Sequence, residues 1–279
     1  TRGRPTTGSP PDPLMDSPGR LESLLRRDRL VVSSCLFAVT LLAASYILAG
    51  AGMGMTAMQM TVPMQHMGAA LPQQWTASYT LTMFLMWWVM MIAMMLPSAA
   101  PTILLAAALN RRSRAGSAPY GNTAIFTLGY LLAWALFSMI AVALQYWLEQ
   151  SGKLSMHLES VSDAVTGTLL LIAGLWQFSP LKQACLRHCR SPADFLVAHR
   201  RPGSGGALVM GMHHGSYCLG CCWFLMGLLF VGGVMNLYWI VGLAGFVFVE
   251  KVLAAGIWFG RLAGIGLALA GLLKLTGLI

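Results

Sequence analysis

Charge is what this sequence has least of. Only nine acidic and eighteen basic side chains are spread over 279 residues, 10% in all, against roughly a quarter in soluble domains. A soluble enzyme of this length needs a more polar surface than that. Catalytic signatures are missing too: there is no phosphate-binding glycine loop, no Ser-His-Asp pattern on an exterior loop and no helical His-Glu-x-x-His. An enzymatic role is therefore not favoured. The same composition excludes a disordered chain, a collagen and a coiled coil. What is abundant is apolar: 57% hydrophobic residues, 30 glycines, 19 methionines and 9 tryptophans, with a mean hydropathy of +0.67. These values describe an integral membrane protein.

A helical span takes about 20 apolar residues, so the length accommodates about seven spans and no soluble domain between them. Residues 1–29 read as a disordered basic tail, with Pro5, Pro10, Pro11, Pro13 and Pro18 early and Arg20, Arg26, Arg27 and Arg29 at its end. Residues 30–279 read as an all-α, polytopic transmembrane helix bundle of six to seven spans. The apolar runs are Leu30–Gly50, Tyr79–Leu109, Thr123–Leu148, Val161–Phe178, Ala207–Val231, Val234–Val249 and Leu262–Ile279. The first is too long for a signal-peptide core and lacks a cleavage site, so it reads as a retained span. The second contains Pro97 and Pro101 and is expected to kink or end there. With the N-terminus cytoplasmic, sixteen of the eighteen basic residues fall inside and only Lys153 and Lys274 outside. That bias gives the orientation of a multi-pass membrane protein. The net charge of +9 sits in clusters beside apolar runs, which reads as membrane orientation and lipid contact rather than nucleic-acid binding.

Two methionine groups stand out. Residues 51–78 form a Met-rich loop on the extracytoplasmic side, with Met53, Met55, Met58, Met60, Met64, His66 and Met67. Thioethers are soft, uncharged ligands that select Cu(I) and stay available in an oxidising compartment; the spacing resembles the methionine motifs of eukaryotic high-affinity copper transporters. Inside the second run, Met83, Met86, Met90 and Met94 share one helical face, with Met91 and Met95 in a second row. Such a ladder can pass Cu(I) by ligand exchange; equally, flexible methionine fills irregular gaps in a packed helix.

The densest chemistry lies in the fifth run: His213, His214, Cys218, Cys221 and Cys222. His214, Cys218 and Cys221 recur at spacings of four and three, so they line one helical stripe. Thiolate with imidazole suits Cu(I) or, as the alternative, Zn(II), and polar groups at membrane depth are functional candidates by default. After the fourth run, Cys185, His188 and Cys189 lie within one helical turn among basic residues. This reads either as half of a metal site, whose second ligand pair is expected from the fifth run, or as a surface helix with incidental thiols. Glu250-Lys251, near the inner end of the sixth run, reads as an orientation lysine whose neighbour pairs with it or serves a proton or cation.

Several of these blocks, taken in order, resemble a bacterial family. They are Met86-Trp87-Trp88-Val89-Met90-Met91-Ile92-Ala93-Met94-Met95-Leu96-Pro97; Trp176-Gln177 to Lys182 with Cys185, Cys189, Ser191 and Pro192; Gly215 to Cys218-Leu219-Gly220-Cys221-Cys222-Trp223; Gly232-Gly233-Val234-Met235-Asn236; and Glu250-Lys251. The chain resembles, over about residues 30–275, the domain-of-unknown-function family of predicted metal-binding integral membrane proteins sometimes labelled copper chaperones. The resemblance implies a membrane-embedded metal site in a multi-pass protein of a bacterial inner (plasma) membrane.

The expectation is therefore copper, as Cu(I), captured by the outer methionines, relayed by the ladder and held by the Cys/His stripe, for transport, delivery or storage. A donor or acceptor protein, or a larger membrane complex, would be the partner. The competing readings are a membrane thiol–disulfide oxidoreductase using Cys218, Cys221 and Cys222, and a structural subunit of another membrane complex.

Overall fold

The computed structural model describes residues 18–61, 74–112, 119–155, 158–253 and 255–278. Among these residues every regular element is a helix; one isolated bridge joins Leu154 and Ser160. In chain order the helices are α1 (Pro18–Leu48), α2 (Ala57–Thr61), α3 (Ala77–Arg112), α4 (Pro119–Gln150), α5 (Asp163–Trp176), α6 (Pro180–Arg190), α7 (Pro192–Ala198), α8 (Gly203–Gly227), α9 (Leu229–Gly232), α10 (Leu237–Val252) and α11 (Gly256–Leu275). Five segments are long and apolar enough to cross a membrane: Arg29–Leu48, Ala77–Arg111, Tyr120–Gln150, Gly203–Gly232 and Gly256–Leu275. The pair α5 and α6, bent by 64°, makes a sixth if taken as one broken span. The run expected as a further span forms α10, only 16 residues long. At 1.5 Å per residue it covers about 24 Å, short of the ~30 Å hydrocarbon thickness.

Local chemistry explains the breaks. Ser179 precedes Pro180 and is extended (φ −60°, ψ 132°), as a residue before proline tends to be. Its side chain caps α6 by accepting from the Leu181 amide at 3.2 Å. The resulting bend turns α6 back toward α8. Between α9 and α10, Gly233 takes φ +90°, a left-handed conformation suited to glycine, and Asn236 Oδ1 caps α10 by accepting from the Tyr238 amide at 3.0 Å. The Gly232-to-Asn236 block is thus a turn that aims α10 back through the bundle.

Pro97 and Pro101 do not end α3, which continues from Ala77 to Arg112. Membrane helices tolerate interior proline where neighbours supply extra donors. The carbonyls that lose a helical amide are those of Ala93 and Pro97; between them, the Met95 carbonyl accepts from Tyr130 Oη on α4 and Ser98 Oγ, at 3.1 and 2.9 Å.

Small residues bring the site-bearing helices together. A Cβ on Gly211 would overlap the Phe126 carbonyl, and one on Gly215 would lie 3.1 Å from the Tyr130 carbonyl. The α4 partners advance as the α8 positions advance, so the two helices run parallel in contact.

Candidate metal centre

The stripe on α8 faces inward. Cys218, Cys221 and Cys222 are buried, as is His214. Spacings of three and four residues stack the three thiols on adjacent turns, and the sulfurs of Cys221 and Cys222 point back to the Cys218 carbonyl at 3.0 and 2.9 Å. The bend at Pro180 adds a fourth. Cys189 of α6 comes within hydrogen-bonding reach of the Cys218 and Cys221 sulfurs, and Cys222 does the same from its own helix. Cys185, one turn earlier, lies against α8 at Gly220, where a Cβ would stand 2.6 Å from its sulfur. All four clustered thiols are free.

Two further groups close on Cys218. Lys251 Nζ on α10 donates to its sulfur at 2.9 Å and to Ser98 Oγ at 3.3 Å. Tyr130 Oη lies 3.2 Å from the same sulfur. Because that hydroxyl also donates to the Met95 carbonyl, it joins the thiol cluster to the methionine helix. An ammonium beside a thiol is a standard means of favouring the thiolate, the ligating form.

Lys251 is therefore more than an orientation residue, and Glu250 does not pair with it. Successive side chains on a helix point about 100° apart, and Glu250 turns to Lys182, with Oε1 2.6 Å from Nζ and both side chains buried. Lys182 also donates to Gln177 Oε1. Arg190 Nη1 donates to the Glu250 carbonyl at 2.9 Å, tying the end of α6 to α10.

The histidines divide between two places. His214 is packed among Phe126, Tyr130 and Phe195, with ring centres 5.2–6.1 Å away, and its Nδ1 has no hydrogen-bond partner among the described residues. His188 and His213 stand apart from the thiols, near His199. His188 stacks on Tyr217 at 4.1 Å, and His199 lies 6.2 Å from His188 and 5.8 Å from His213 between ring centres.

All six ladder methionines, Met83, Met86, Met90, Met91, Met94 and Met95, are buried. They occupy the interior of the bundle, as both the relay and the packing readings require. At the start of the ladder, Gln145 Nε2 donates to Met83 Sδ at 3.3 Å and to Glu149 Oε1 at 2.7 Å. Trp75 and Trp87 Nε1 donate to Glu149 and Gln145, at 2.9 and 2.8 Å. Of the outer methionines, Met58 is exposed while Met53, Met55 and Met60 are half-buried on a glycine-rich turn and α2. Met64, His66 and Met67 lie outside the described residues.

As the side chains stand, no group of three or more His, Cys, Asp or Glu residues among those described converges on a single point as metal ligands do. The thiols are turned to each other and to a carbonyl. A metal ion would have to exchange those hydrogen bonds for S–metal bonds, and the donors available to it are soft sulfur.

Sequence reasoning found the cysteines but missed Tyr130, Lys182, Gln177, His199, Gln145 and Glu149. The last two carried a readable signal, an amide and a carboxylate inside an apolar run. The others could be found only once the helices were docked.

A family model described as "PpoB2: Copper chaperone" matches residues 84–274, more than half of the chain. It takes in the ladder from Met86 onward and every cysteine of the cluster, and starts beyond the outer methionines rather than near residue 30. No curated protein and no solved structure matches the chain significantly.

Proposed function

The chain belongs to the PpoB2 copper-chaperone family, and on that premise we propose that it is a membrane protein that receives Cu(I), holds it at the buried thiol cluster and passes it to an acceptor. The observation that carries this reading is the meeting of half-buried Cys189 from α6 with buried Cys218, Cys221 and Cys222 from α8, beside Lys251. Four free thiols in one place, three of them buried, suit a soft monovalent cation, whose desolvation the thiolate charge offsets. The ion is cargo. Met53, Met55, Met58 and Met60 supply weak, uncharged and exchangeable contacts for capture. The ladder from Met83 to Met95 spans about 18 Å along α3 and ends where Tyr130 bridges to Cys218, which supports a relay by thioether exchange. His188, His199 and His213 stand between α6, α7 and α8 as donors on the path from the cluster to an acceptor.

Metal counting on the purified, reduced protein tests this directly. Wild type is expected to hold stoichiometric copper. Replacing Cys218 and Cys221 by Ser should remove most of the tightly held metal, whereas replacing Met53, Met55, Met58 and Met60 by Leu should chiefly slow loading at low external copper. Retention by the cysteine variant with loss in the methionine variant would place the storage site elsewhere. A thiol–disulfide oxidoreductase makes the opposite prediction: blocking the cysteines abolishes electron transfer and leaves the metal content unchanged.

A further inference from the structure

The thiol cluster is built around a positive charge that no carboxylate contacts among the described residues. Lys251 is 7% exposed, and among the described residues its Nζ meets only Cys218 Sγ and Ser98 Oγ. The carboxylate next to it in sequence turns away, because Glu250 Oε1 pairs with Lys182 Nζ. A buried, unpaired ammonium is expensive, and the groups in reach that can carry the compensating charge are the thiols.

We propose that Lys251 is the fixed counter-cation of the thiol centre and selects its occupant by charge, making a two-thiolate complex of a monovalent metal ion the electroneutral state. This rests on the reading that the cluster holds Cu(I). The sulfur nearest the ammonium is that of Cys218, 2.9 Å from Nζ. When Cu(I) enters, it bonds to that sulfur and to a second cysteine sulfur. As each S–Cu bond forms, any proton on that sulfur leaves with its S–H bond broken, and no electron moves. The resulting bis-thiolate copper unit carries one negative charge, which Lys251 cancels. Zn(II) between the same two thiolates would leave an excess positive charge against the ammonium in a low-dielectric interior. Zinc reaches neutrality only by recruiting a third thiolate. Lys251 is thus a specificity residue that binds no metal itself.

The test compares Lys251→Met, close in volume but neutral, with Lys251→Arg, which keeps the charge. Cu(I) affinity is measured in detergent by competition with a chromophoric Cu(I) chelator, and Zn(II) affinity with a zinc dye. The methionine variant should lose Cu(I) affinity on the order of 100-fold without losing zinc affinity, so the ratio of the two collapses. The arginine variant should keep the wild-type ratio. Methionine-variant affinity for Cu(I) equal to wild type would overturn the proposal, and so would an equal loss of both metals, which marks a merely structural lysine. X-ray absorption of copper-loaded wild type gives a check that needs no variant: two sulfurs around copper are expected, and three or more would contradict the charge count. Failure of the underlying reading looks different, because copper would then survive the double replacement of Cys218 and Cys221.

Discussion

At the scale of the residue, the polar interior depends on two neighbours that face different partners. Glu250 turns to Lys182 and Lys251 to Cys218, although all three carry charge within one buried region. Removing one partner of a buried ion pair leaves the other uncompensated, which costs about 3–5 kcal/mol, whereas replacing both by apolar groups is often close to neutral. Lys182→Met and Glu250→Leu should therefore each destabilise the protein by about 3–5 kcal/mol, and the double variant should recover most of that loss. Denaturant unfolding followed by tryptophan fluorescence measures all three. Single variants as stable as wild type would mean the pair contributes nothing. This arrangement could not be read from the chain, where Glu250 beside Lys251 suggested a pair. Lys182 lies 68 positions away in sequence and reaches Glu250 only because α6 folds back on α10. The cysteines were legible because thiols at helical spacing within an apolar run form one stripe wherever the helix docks.

At the scale of the element, α3 shows how packing and transfer separate. Its methionine rows are buried, as a core face is, and α3 also continues through Pro97 and Pro101, where the sequence suggested a kink or an end. The periodicity fixed which side chains share a face; it said nothing of the Tyr130 and Ser98 donors that support the backbone beside the prolines. Leucine and methionine are close in volume, so Met86→Leu, Met90→Leu and Met94→Leu should each cost less than about 1.5 kcal/mol. If the row is only core, copper transfer will be as fast in the triple variant as in wild type. The relay predicts instead that stability and retained copper stay near wild type while loading of the thiol cluster slows severalfold or more, because the thioethers that exchange the ion are gone. Time-resolved copper uptake into detergent-solubilised protein, read beside an unfolding curve, separates the two.

At the scale of the whole molecule, the ends of the bundle differ in charge. α4 and α8 run parallel, so the turn after α4 and the start of α8 lie at opposite ends. Lys153 over Trp147, and Lys274 paired with Asp163 at 3.0 Å, mark the sparsely basic end. Arg200 and Arg201 precede α8 at the other. Apolar-run length made the number of long helices nearly legible; it did not show how short α10 is, because run length does not register a capped turn such as Gly233–Asn236. The lysine and arginine bias predicts which end faces the cytoplasm, since positively charged loops resist translocation. That argument makes Ser151 extracytoplasmic and Ser204 cytoplasmic, and both residues are exposed. In a Cys35→Ser background, which removes the exposed native thiol, Ser151→Cys should react with a membrane-impermeant maleimide in intact cells. Ser204→Cys should react only after permeabilisation. The reverse pattern would invert the molecule and with it the direction of the proposed transfer: the outer methionines would then face the cytoplasmic copper pool, and the thiol cluster would hand its ion outward.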